Sequence, residues 1–260
     1  MSRAAGLLGL ALALGLGAAA SPAAHADSAA PQEAGYAYDG RFSFVRLRFD
    51  EGGGGLQGFG RGRGRGREPM WAHDHPRAET NFLRIMQELT SLQTDPDHHL
   101  VLDVDDPELG RNPIAYIVEV GYWNPSESEV QALRAWLLKG GLLIVDDFRG
   151  DHWANFEAQM ARVLPEARFH PIEKGAEVFD SFFHIADPES LAPPYDQQLI
   201  PLYLGIFEKN DPAGRLMVIA NYNNDLQEYW EFSDYGYYPI DLANEAYKFG
   251  VNYVIYGLTH

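Results

Sequence analysis

The feature that most constrains this chain is the run Lys139-Gly140-Gly141-Leu142-Leu143-Ile144-Val145-Asp146-Asp147-Phe148-Arg149-Gly150. Two glycines tolerate the positive φ that ends a helix, and the four apolar residues behind them are too few to start another. The run therefore predicts a helix end, a buried strand and an acidic turn. Ahead of it, Ser126 and Glu129 form a capping box, and Val130, Leu133, Trp136 and Leu137 supply the inner face of a helix running to Lys139. Residues 114–120 are almost continuously apolar, as a central parallel strand covered on both faces must be. Strand, helix and strand make a βαβ unit, and open α/β sheets place their ligands at the carboxyl ends of such strands.

The flanking chain extends this pattern. Residues 42–49 and 100–104 read as strands, and Phe82, Ile85, Met86, Leu89 and Leu92 keep helical spacing behind Pro76. A further helix carries Trp153, Phe156, Met160 and Val163, and residues 169–172 read as a short edge strand. Residues 177–185 and 187–198 read as loops, whereas 202–207 and 216–220 read as a hairpin around Asn210-Asp211-Pro212-Ala213-Gly214. Residues 241–258 read as a terminal helix, although 251–256 alone also suits a strand.

Composition excludes several classes of function. There is no cysteine, so disulfides, thiolate catalysis and cysteine-ligated metals are out. The chain carries 37 acidic against 20 basic residues, an imbalance that argues against nucleic acid as a partner. At the start, Arg3, the apolar run 7–16 and Ala24-His25-Ala26 form an export signal covering 1–26, too short for the roughly 20 apolar residues of a membrane span. The expected organisation is a signal at 1–26, a flexible lead at 27–40 and one α/β domain at 41–260. Within that domain, residues 51–67 form a Gly/Arg-rich loop that cannot bury a core face. The mature chain is expected to be periplasmic or secreted, with no transmembrane segment.

Trp71 and Asp74, Asn81-Phe82-Leu83, Asp105-Asp106-Pro107-Glu108-Leu109, the run 140–150, Asn223-Asn224-Asp225 and Gly250-Val251-Asn252-Tyr253 occur in an order that resembles domain-of-unknown-function family 4159, a bacterial family. That family is similar in turn to class I glutamine-amidotransferase-like folds. The resemblance implies a three-layer, flavodoxin-like architecture, mostly parallel, with helices on both faces of the sheet. It carries over no catalytic residue. Amidotransferases place a cysteine on the strand-to-helix elbow, where this chain has Asp146-Asp147-Phe148-Arg149-Gly150, and no Gly-x-Ser-x-Gly elbow replaces it.

The expected site lies where the strand ends converge. Asp146, Asp147 and His152 are the candidate catalytic groups. Trp71, Asp74, Tyr122, Trp123, Arg149, Asn223, Asn224 and Asp225 are the candidate ligand contacts, and His73, His75 and Asp147 are candidate metal ligands. The plainer reading sends the two aspartates to opposite faces of the strand, one holding turn amides and the other solvated. Trp230 with Tyr235, Tyr237 and Tyr238 suits either a carbohydrate-stacking surface or loop packing. No cofactor is implied. The expected partner is an envelope protein or a small polar ligand bound by an accessory module, and the alternative is a hydrolase, metal-assisted, built on the Asp/His groups.

Overall fold

The computed structural model of the protein describes residues 40–51 and 69–260. The expected export segment 1–26, the expected lead through residue 39 and residues 52–67 of the Gly/Arg-rich stretch lie outside them. Strands β1 (Val45–Arg48), β2 (Leu100–Asp103), β3 (Ile114–Val118), β4 (Leu142–Phe148), β5 (His170–Pro171), β6 (Leu202–Phe207) and β7 (Leu216–Tyr222) form one seven-stranded sheet in the order β2-β1-β3-β4-β7-β6-β5. Pairings from β2 through β7 are parallel, whereas β6 runs antiparallel to β7 and β5 antiparallel to β6. The five helices are α1 (Arg77–Leu89), α2 (Glu127–Leu138), α3 (His152–Val163), α4 (Leu226–Glu231) and α5 (Ile240–Thr259).

Side-chain alternation explains the layering. Tyr116, Val118, Ile144 and Ile219 join Phe82 of α1, Trp230 of α4 and Val251 and Val254 of α5 in one core. Their neighbours Ala115, Ile117, Leu143 and Val145 are equally buried and point the other way, toward α2 and α3, which pack on each other. This is the three-layer α/β arrangement, a mostly parallel sheet with helices on both faces. The capping box at Ser126 forms as expected, with its hydroxyl accepting from the Glu129 amide and the Glu129 carboxylate accepting from the Ser126 amide. The two glycines act differently. Gly140 has φ +120 and stops α2, whereas a Cβ on Gly141 would lie 2.4 Å from the Trp136 ring.

Three details differ from the sequence reading. Strand β4 does not stop at Val145 but continues through the aspartate pair to Phe148. Residues 240–259 are helical throughout, with Val251, Tyr253, Val254 and Tyr256 buried, because α5 lies in the apolar core where its side chains need a continuous face. Helix α4 has no counterpart in the sequence reading, since six residues show too little periodicity to reveal a helix.

Candidate functional site

The site begins with a β-bulge. Val145 pairs with Ala220 and Phe148 with Tyr222, so Asp146 and Asp147 together oppose the single residue Asn221. Asp147 takes up the extra residue with φ +48, and Phe148 returns to pack on Phe156 of α3. A regular strand would send the two carboxylates to opposite faces. Here both reach the loops around the start of α4. Asp147 has company in its unusual backbone, because Glu119 just beyond β3, Asn223 just beyond β7 and Asp74 also have positive φ. Non-glycine residues held in this region gather where a fold fixes side chains for a purpose other than packing.

Asp147 Oδ2 lies 2.7 Å from His73 Nδ1, and His73 Nε2 lies 3.8 Å from Asp74 Oδ1. The hydrogen bond to Asp147, helped by the nearby Asp74 charge, raises the His73 pKa to about 10, so the imidazole is protonated at neutral pH. His73 remains about half exposed, whereas the Asp74 side chain is 2% exposed. Burial pushes the Asp74 carboxyl well above its ordinary range, against the attraction of His73. One Asp74 oxygen, Oδ2, is buried without a hydrogen-bond donor.

Helix α4 brings in further acids. Asp225 caps it through the Glu228 amide at 2.9 Å, and burial together with Asp147, Asp74 and Asp146 drives the Asp225 carboxyl upward. Glu228 accepts from the Tyr238 hydroxyl at 2.6 Å. Glu231 is partly buried, its carboxyl raised by desolvation, with Asp74 beside it. His73, Asp74 and Asp147 can each bring one ligand atom within 4.8 Å of the others, and so can Asp74, Asp225 and Glu228.

The family model of a domain of unknown function, DUF4159, matches residues 62–258, which include every one of these groups. The chain belongs to the DUF4159 family. No curated protein matches it.

In this DUF4159 member the remaining expected contacts divide into rim and interior. Arg149 is exposed and stacks at 3.9 Å over the ring of Tyr195, whose hydroxyl pKa is raised by burial and by Asp147 and Asp225. Tyr122 meets the His152 ring edge-on, and His152 rests against Gly121, where a Cβ would lie 2.3 Å from the imidazole. Burial lowers the His152 pKa, and its Nδ1 lies 3.5 Å from Glu119 Oε2. Asn223 is partly buried, its amide donating to Phe148 O at 3.0 Å. Trp71 is partly buried, and its carbonyl accepts from Arg46. Trp123 is fully buried, and Asn224 is buried and donates to the Tyr203 hydroxyl at 3.0 Å. His75 is not brought to His73. Its Nε2 lies 2.8 Å from Nε2 of His99, and burial lowers its pKa to about 4.

Asp146 proves to be an interior anchor. Its Oδ2 accepts from the Tyr116 hydroxyl at 2.6 Å and the amides of Leu226 and Gln227, while Oδ1 accepts from Asn221 Nδ2 at 3.0 Å. Beneath it, fully buried Arg46 donates to Glu79 and Gln227. The sequence signalled neither Arg46 nor Glu79 as a buried group, since charges on a strand and a helix ordinarily face water. A cavity of about 390 Å³ lies beside the amino ends of β3 and β4, away from this site. Its walls hold Asp105 and Asp106 together with Arg111 and Lys139, acids matched by bases. Among the described residues no helix is long and apolar enough to cross a membrane.

Proposed function

We propose that this DUF4159 chain is an exported cell-envelope module that binds a small polar ligand at the carboxyl edge of its sheet. The observation that carries this reading is the His73–Asp147 pair at 2.7 Å, set on a bulge and a left-handed residue rather than on regular strand, and open to solvent on the His73 side. Arg149 with Tyr195 and Tyr122 with His152 form a rim that is part polar and part aromatic, a mixture suited to such a ligand. Export rests on Arg3, the apolar run 7–16 and Ala24-His25-Ala26.

A calorimetric screen of the purified chain against amino acids, polyamines, sugars and sugar phosphates tests the proposal. A ligand is expected whose binding is lost in Asp147→Asn. Binding by no compound, together with no partner captured from envelope extract, overturns it.

A metal-assisted hydrolase is the second reading, and His152 favours it. His73 is protonated at neutral pH and accepts no further proton, whereas His152 is kept neutral by burial and is competent as a base. Turnover of an ester, amide or glycoside that disappears in His152→Ala would establish this reading. No turnover across the panel with added manganese would remove it.

A further inference from the structure

We infer that Asp74, Asp225 and Glu228 form a binding site for a hard divalent cation of the calcium, magnesium or manganese class. One oxygen from each of the three carboxyl groups falls within a cluster 4.8 Å across. The donors are all oxygens, with neither thiolate nor imidazole among them, and such a set selects hard cations over zinc or copper.

Acidic clusters are common on protein surfaces, but this one is not at the surface. Asp74 and Asp225 are 7% and 2% exposed. Asp74 Oδ2 is fully enclosed with no donor pointing at it, a position that costs free energy unless a cation or a proton is supplied. Positive charge nearby is largely engaged elsewhere. His73 bonds Asp147 at 2.7 Å and approaches Asp74 only at Oδ1, at 3.8 Å, while Arg46 faces Glu79 and Gln227, and Arg77 faces Asp234 while lying over the Tyr235 ring.

The groups are also held in place from behind, as ligands need to be. The Glu228 amide fixes one Asp225 oxygen at 2.9 Å, and the Tyr238 hydroxyl fixes one Glu228 oxygen at 2.6 Å, leaving each carboxyl its second oxygen. The competing account is a proton shared between Asp74 and the neighbouring Glu231. Both accounts neutralise the same oxygen, but only one responds to metal.

This inference stands apart from the ligand reading, which rests on His73 and Asp147. The test takes the purified full chain, stripped with chelator, and titrates calcium, magnesium and manganese separately by calorimetry while following the melting temperature. One equivalent of at least one cation is expected to bind and raise the melting temperature. Asp225→Asn, which keeps an oxygen for the α4 cap, and Glu228→Gln, which keeps an acceptor for Tyr238, are each expected to weaken that cation more than about tenfold, since losing even an outer-sphere partner costs that much. Absence of heat and of any melting shift with all three cations at millimolar concentration overturns the inference and leaves the shared proton as the account. Unchanged affinity in both Asp225→Asn and Glu228→Gln overturns it as well. Failure to find an organic ligand bears only on the reading at His73 and Asp147.

Discussion

Asp146 and Asp147 are adjacent in sequence and lie in two different chemical regions. Around Asp146 donors converge on the acceptors: Tyr116, Asn221 and two amides of α4 meet one carboxylate, and Arg46 lies between Glu79 and Gln227, with Glu79 Oε2 left without a donor among the described residues. Around Asp147 acids outnumber donors, with Asp74, Asp225, Glu228 and Glu231 gathered near one protonated imidazole. The first region is a polar network closed but for one Glu79 oxygen, and it specifies how β1, β4, α1 and α4 meet. The second holds more acids than donors, and the proposed ligand and cation sites both rest on that imbalance.

The largest effect is expected where the closed network loses a charge. Arg46→Ala leaves Glu79 buried without its ion-pair partner and should cost about 3–5 kcal/mol by denaturant unfolding. A loss below about 1 kcal/mol, the range of exposed pairs, would mean that the network is not closed. Asp146→Ala comes next. It strands the Tyr116 hydroxyl and the α4 amides, and each buried group without a partner costs about 1–3 kcal/mol.

The edge cluster should show itself as a slope with pH rather than a step. His73 has an ordinary pKa of 6.5 raised to about 10 in the folded chain, so its contribution is complete below pH 6.5 and is lost as pH rises through 10. Asp146, raised from 3.8 to about 6, and the raised Asp74 and Asp225 act in the same direction, since the folded chain holds protons that the unfolded chain releases. Lowered His75 and His152 oppose the carboxyls between about 4 and 6.5, so the fall in stability should show clearly only as pH climbs from 6.5 to 10. Asp147→Asn removes the main cause of the His73 shift and should flatten the upper window, with the His73 titration by NMR moving back toward 6.5. An unchanged His73 titration in that variant would break the pairing on which the site is built. The smallest effect is expected at Arg48. Its two hydrogen bonds to Asp103, both 2.7 Å, are nearly half exposed, so Arg48→Ala should cost no more than about 1 kcal/mol.

Short-range chemistry explains what could be read without coordinates. Short apolar runs closed by turn signals let residues 114–118, 142–145 and 202–207 be placed as strands from their own composition, whereas the run 251–256 between Gly250 and Gly257 is helical because of what α5 packs on. The α2 cap likewise depends on Ser126 and Glu129 alone. The carboxyl edge was legible as a meeting place because parallel strands share it, and His73, Asp74, Asp147 and Asp225 do come together there. Helix α4 and the roles of Glu228, Glu231 and Tyr195 were not legible, since each depends on partners far away in sequence.

Periodicity, caps and chain direction in the sequence determined the βαβ unit and the carboxyl edge, and the family resemblance implied the layered, mostly parallel sheet. Only the tertiary structure decided which aspartate is an interior anchor and which pairs with His73. That choice turns on one extra residue opposite Asn221, a bulge set by the register of β4 against β7, and register is a property of two strands about 75 residues apart rather than of either one.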